Sequence, residues 1–101
     1  MNLPKTYEEF KLTLNLNEPN SEWELDLQSI WYAAKDNWSA SHRIAQDLDT
    51  IFGYWIHGYL HRIEDDKFNA MYWYEKANKP FSRLPFEDEL KEIIIEILKH
   101  E

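Results

Sequence analysis

The chain contains no cysteine, which removes a disulfide framework, thiolate metal ligands and a thiol nucleophile together. Glycine is nearly as scarce, with two in 101 residues beside four prolines. That leaves little material for the many tight turns of an all-β fold. No window approaches the roughly 18 apolar residues of a membrane span, and the opening MNLPKTYEEF holds no apolar run of the kind a secretion signal needs. A basic stripe is missing too. The net charge is −8, spread as about −4 over residues 1–37, −1 over 38–79 and −3 over 80–101. Nucleic acid and anionic membrane are therefore not expected as partners. A soluble cytoplasmic protein is the expectation.

What is present is apolar and aromatic. Apolar residues make up 44% and aromatics 16%, enough for one ordered domain with a modest core. Thr6-Tyr-Glu-Glu9 reads as a capping box, opening a short helix that runs into an extended segment. The alternation Phe10-Lys-Leu12-Thr-Leu14-Asn-Leu16 offers a strand as the competing reading. After the turn NEPN (17–20), Ser21-Glu-Trp-Glu24 reads as a second capping box. Trp23, Leu27, Ile30, Trp31 and Ala34 then keep helical spacing. Asn37 is expected to cap a helix from Trp38 to about Leu48, and Asp66 one from Lys67 to Ala77. Between them Phe52, Trp55, Ile56, Tyr59, Leu60 and Ile63 form an amphipathic stripe. NKPFSRLP (78–85) is a loop. In the last helix Glu87, Asp88 and Glu89 suit the positive end and Lys99 with His100 the negative end. Phe86, Leu90, Ile93, Ile94, Ile97 and Leu98 give that helix an apolar face, expected to cover the 67–77 hairpin or a second copy.

KDNWSASHRIAQ (35–46) aligns with DDKFNAMYWYEK (65–76) at an offset of 30, which places Asp36 on Asp66, Trp38 on Phe68 and Ala40 on Ala70. Repeated helix–turn–helix units of this length mark α-solenoids. DDKFNAMYWYEKA (65–77) resembles the second half of a Sel1-like or tetratricopeptide repeat, and the likeness extends weakly over residues 23–78. It departs from those families in its short period and in Asn78, where they place Gly. The resemblance implies a scaffold that holds peptides or partner proteins.

Gly53 and Gly58 fall inside the 51–64 helix, where each costs about 1 kcal/mol against Ala. Close approach of the neighbouring helix, with Ala70 and Ala77, is the expected reason, and approach of a ligand the alternative. His57 and His61, four apart, share a helix side with Glu64. Imidazoles at that spacing can chelate one metal, with His42, Asp47, Glu64 or Glu75 as third ligand. The zincin motif is absent, because Gly58 stands where its Glu would be. The histidines are read first as neutral residues bonded across a helix interface, with no metal and no cofactor. Ser21, Ser29, Ser39, Ser41 and Ser82 lie in no nucleophile elbow, so no catalytic residue is assigned. Eight of the sixteen aromatics fall between Phe52 and Tyr74. They suggest either extra core or a semi-polar groove.

These readings combine into an all-α fold of two stacked helical hairpins (21–48 and 50–78), an N-terminal element (1–20) and a C-terminal capping helix (85–101). The expected function is a protein- or peptide-binding repeat module without catalytic activity. Its binding residues would be His42, Tyr54, His57, His61, Arg62, Glu64, Asn69 and Trp73, and homodimerisation is possible. The alternative is a small enzyme or metal-binding protein using His57, His61 and Glu64.

Overall fold

The computed structural model describes residues 3–101. The first two residues of the expected N-terminal element lie outside the described residues. Helix formation follows the capping chemistry at most positions. Thr6 accepts from the Glu9 amide and opens α1 (Tyr7–Leu12), while Glu9 Oε1 accepts from the Lys5 amide at 2.8 Å. The chain then tightens into a 3-10 turn, Thr13–Asn15, so the strand reading of residues 10–16 fails and the extended segment is delayed to Leu16. The second capping box does not form. Asn20 takes the Glu22 amide at 2.8 Å, and Trp23 is buried ahead of the helix, stacked against Phe10. Helix α2 therefore begins only at Leu25 and runs to Ala34, with no side-chain cap.

Helices α3 (Trp38–Ala45), α4 (Ile51–Ile63) and α5 (Lys67–Lys76) are capped by Asn37, Thr50 and Asp66. Helix α6 (Phe86–Lys99) starts after Pro85. Among the described residues, α2 with α3 and α4 with α5 form two antiparallel hairpins, stacked through α3–α4 and α2–α4 contacts. Helix α6 lies across α1, α2 and α4, meeting the second hairpin mainly through α4 and, at Glu89, through Tyr74 of α5, and it buries Ile93, Ile94 and Ile97 within its own chain. Phe86 stays 45% exposed, under the Arg62 guanidinium, and does not join that face.

The turns explain how so few glycines suffice. Asp36, Asp65 and Asn78 each adopt φ 61°, the left-handed conformation that ends helices and that Asp and Asn tolerate best after Gly. The next amides, of Asn37, Asp66 and Lys79, bond back to Tyr32, His61 and Tyr74, each at 2.9 Å. This repeated closure sets the structural offset at 29 residues (Asp36 to Asp65, Asn37 to Asp66), not 30. Trp38 thus corresponds to Lys67 and not to Phe68. Trp38 is half-buried and donates from its indole to the Leu60 carbonyl at 2.8 Å, whereas Phe68 is 88% exposed. The matching buried positions are Ser41 and Ala70.

Gly58 packs against the neighbouring helix α5, at Tyr74 rather than at Ala70 or Ala77, whereas Gly53 packs against the loop before its own helix. A Cβ at Gly53 would lie 2.5 Å from Leu48 Cβ and 2.7 Å from its carbonyl oxygen, in the loop before the helix. A Cβ at Gly58 would lie 3.1–3.3 Å from the ring and amide of Tyr74. Tyr74 is itself pinned. Its hydroxyl is 2.6 Å from Oε2 of Glu89, a fully buried carboxylate that also accepts from Trp55 Nε1 at 3.0 Å and Arg62 Nε at 3.0 Å.

Two substitution series follow from this packing. Gly53→Ala should destabilise more than Gly58→Ala, because a backbone carbonyl blocks the first site. Gly58→Leu should cost about 1–3 kcal/mol, as overpacking does. Denaturant midpoints check the order, and equal stability of the two alanine variants contradicts it. Glu89→Ala leaves Arg62, Tyr74 and Trp55 without their acceptor and should cost about 3–5 kcal/mol, read from the same unfolding curves. A loss under about 1 kcal/mol, the range of exposed pairs, shows that Glu89 does not hold the helices together.

Candidate metal centre

Helix α4 is covered on nearly every side: Trp55 through Leu60 are consecutively buried. Its histidine side is not an open groove, because α3 and α5 flank it. From α3 comes His42, stacked on Trp38 with ring centroids 4.6 Å apart and planes 10° from parallel. From α5 comes Trp73, stacked on His57 at 3.9 Å and 13°. His57 and His61 lie one turn apart on α4, with centroids 4.9 Å apart. The His42 ring meets both edge-on, at 4.6 Å and 5.3 Å. One ligating nitrogen from each of the three lies within 4.8 Å of the other two.

Burial and neighbouring positive groups favour the neutral form of His57 and His42. Burial first, then His42, His61 and Lys76 nearby, hold His57 down at about 4 from its ordinary 6.5. His42 is lowered as well, by burial and by His61, against a raising effect of Glu64. A neutral imidazole keeps a lone pair, which is what a metal requires. His57 Nδ1 is buried with no hydrogen-bond partner among the described residues. His61 is oriented from behind: its Nδ1 lies 2.7 Å from Glu64 Oε1. A carboxylate only accepts, so Nδ1 is the donor of this bond and the ring is held in place by it.

The remaining expected site residues disperse. Arg62 turns to the other side of α4, toward Glu89 and the Leu84 carbonyl. Asn69 donates to Asp66 within the cap of α5. Tyr54 bonds Asp49 through its hydroxyl, beside Trp73 at 5.9 Å between centroids. Of the candidate third ligands, His42 joins the histidine pair, while Asp47 and Glu75 do not. A second trio, His61, Glu64 and Asp66, shares His61, but Glu64 is held by His61 and Asp66 by Asn69. Trp38 joins the cluster from outside the expected site residues; Trp38 and His42 repeat on α3 the i,i+4 spacing of His57 and His61 on α4.

The cluster corrects the reading of a purely non-catalytic peptide-binding module: it offers a candidate metal site instead. His42, His57 and His61 converge on one another, and Trp73 closes over His57, where a peptide groove would need them splayed and accessible. The histidines are also not bonded across the helix interface: they meet ring to ring, and Nδ1 of His57 is left without a partner. Compared with models of protein families, with curated proteins and with solved structures, the chain matches none.

The depressed titration of His57 has a consequence for the metal-free chain. The unfolded state takes up a proton at about 6.5 and the folded state only near 4, so acid favours unfolding. The contribution of His57 is full above about 6.5 and declines as pH falls through this window, with His42 acting in the same direction. Urea midpoints measured with chelator across that range should fall toward acid, and His57→Gln should flatten the fall. An unchanged slope in His57→Gln refutes the assignment to His57.

Proposed function

We propose that this chain is a small metal-binding protein whose centre is formed by His42, His57 and His61, with Glu64 as the orienting partner of His61. The observation that carries this reading is the convergence of three imidazoles from two helices, one of them buried with an unpartnered nitrogen. Imidazole donors suit zinc, copper, nickel or iron, while magnesium and calcium favour oxygen. Tetrahedral zinc with bonds of 2.0–2.1 Å needs nitrogens about 3.3 Å apart. With nitrogens up to 4.8 Å apart, the cluster would have to close by up to about 1.5 Å, through side-chain rotation at His42 and within the His57–His61 pair. Three nitrogen ligands leave a fourth position for water, the arrangement of catalytic rather than structural zinc. Metal-bound water at such a centre ionises near pH 7, and this is the route by which the protein would act as a hydrolytic or hydrating enzyme. Trp38 and Trp73 supply the apolar walls that strengthen such a centre.

The two hairpins serve in this reading as a repeat-like scaffold of Sel1 or tetratricopeptide character, supported by their equivalent turns. A cysteine-free, acidic chain suits the cytoplasm.

Tag-free protein titrated with Zn2+ or Co2+ should bind one equivalent, with the visible bands of tetrahedral Co2+ and a rise in melting temperature. His57→Ala and His61→Ala should abolish binding. Glu64→Gln should weaken it by about 10–100-fold, as loss of an orienting carboxylate does. Failure to bind one equivalent, or equal binding by the double histidine variant, overturns the proposal.

A further inference from the structure

Three turns of the chain close alike. After Lys35, Glu64 and Ala77 comes a residue at φ 61°, and the next amide returns to Tyr32, His61 and Tyr74. The equivalent positions differ in chemistry: Tyr32, Lys35 and Asn37 in the first turn, Tyr74, Ala77 and Lys79 in the third. Only the turn between α4 and α5 places His61, Glu64 and Asp66 there. Closing a turn of this shape therefore requires none of those three side chains. One ligating atom of each nonetheless lies within 4.8 Å of the other two.

We infer that His61, Glu64 and Asp66 form a second divalent-cation site, for an ion of the Mn2+ class, exclusive with the trihistidine centre. Its donors are one nitrogen and two carboxylates, where the first centre offers three imidazoles. Carboxylates suit manganese, magnesium and calcium, and the added imidazole favours the transition ion of the three. Two carboxylates also balance the charge of a dication. The Glu64 side chain is 42% exposed, so water can complete an octahedral shell.

The hydrogen bonds already present leave room for the ion. Asn69 donates to Asp66 Oδ1 from its amide at 3.3 Å and to Oδ2 from its side chain at 2.7 Å. An ionised carboxylate has about four lone-pair sites, so two remain. Glu64 Oε1 lies 2.7 Å from His61 Nδ1, and a cation entering there takes the place of the Nδ1 proton. That proton passes through solvent to Nε2, and the imidazole stays neutral. A neutral imidazole has a single acceptor nitrogen. His61 can serve an ion beside Glu64 and Asp66 or, through its other nitrogen, one shared with His42 and His57, but not both at once. Each ion fixes the tautomer against the other, a coupling equal in both directions. The exclusion rests on the trihistidine reading; the Mn2+ site does not.

Mn2+ titrated into the metal-free chain should lose its free-ion spin-resonance signal up to one equivalent. Asp66→Asn removes a ligand and keeps a cap, since Asn37 caps α3 at the equivalent position. It should leave the melting of the metal-free chain and the cobalt bands of the trihistidine centre unchanged. It should weaken Mn2+ binding more than about tenfold, since loss even of a partner outside the ligand set costs that much. His42→Ala should bind Mn2+ as wild type does. Excess Mn2+ should erode the cobalt bands of wild type and not those of Asp66→Asn. Wild type that takes up no Mn2+ at millimolar concentration, or Asp66→Asn that takes it up equally, overturns the site. Loss of uptake in His42→Ala places the ion among the imidazoles and overturns it too. Cobalt bands that persist while Mn2+ is bound overturn the exclusion. If cobalt bands never form, the trihistidine reading and the exclusion fall together, while Mn2+ uptake still decides this site.

Discussion

The carboxylate of Glu89 is shut off from solvent, with donors from two other helices closing on it: the Trp55 indole and the Arg62 guanidinium of α4, and the Tyr74 hydroxyl of α5. A buried charge is tolerated only when it is paired and its lone pairs are met. These positions can change little without leaving one of the group orphaned. The constraint propagates. Tyr74, fixed by Glu89, lies against Gly58, so the crossing of α4 and α5 is set. Its own ionisation is pushed up by burial and by Glu89, which keeps the hydroxyl a donor. Tyr59 adds a bond from its hydroxyl to the Phe86 carbonyl at 3.2 Å, holding the start of α6 to the same helix.

With one side of α4 committed to this network, its opposite side holds His57 and His61. A helix buried nearly all round has neighbours everywhere, and here those neighbours are α3 and α5, which deliver His42 and Trp73. The indole of Trp38 donates to the Leu60 carbonyl between the two α4 histidines, tying the wall of the cluster to the helix that carries it. The histidine cluster and the structural network thus lie on two faces of a single helix. Ligand geometry at one depends on helix placement at the other.

Much of the local structure was legible. The caps at Thr6, Asn37 and Asp66, the helical stripe of residues 52–63 and the apolar face of α6 all rest on interactions within about four residues. Where local signals compete, tertiary burial decides. Ser21 and Glu24 have the right spacing for a box, but burial of Trp23 under Phe10 pulls that segment out of helical geometry. An offset of 30 pairs two aromatic residues, Trp38 and Phe68, one position away from the structural register of 29. The left-handed residues Asp36 and Asp65, which fix the true correspondence, look like ordinary acids.

The sequence by itself determined that the chain is helical, where its turns fall and which residues carry the candidate chemistry. These follow from side-chain spacing, capping and backbone preference, all short-range. Only the tertiary structure decided which residues meet. Glu89 reads as one of three acids at a helix start until packing encloses it, 27 residues from Arg62 and 34 from Trp55. His42 reads as one of four possible third ligands until α3 folds back on α4. The convergence of three imidazoles is a fact about helix crossings, and crossings are set by the sum of many buried contacts rather than by any stretch of the chain.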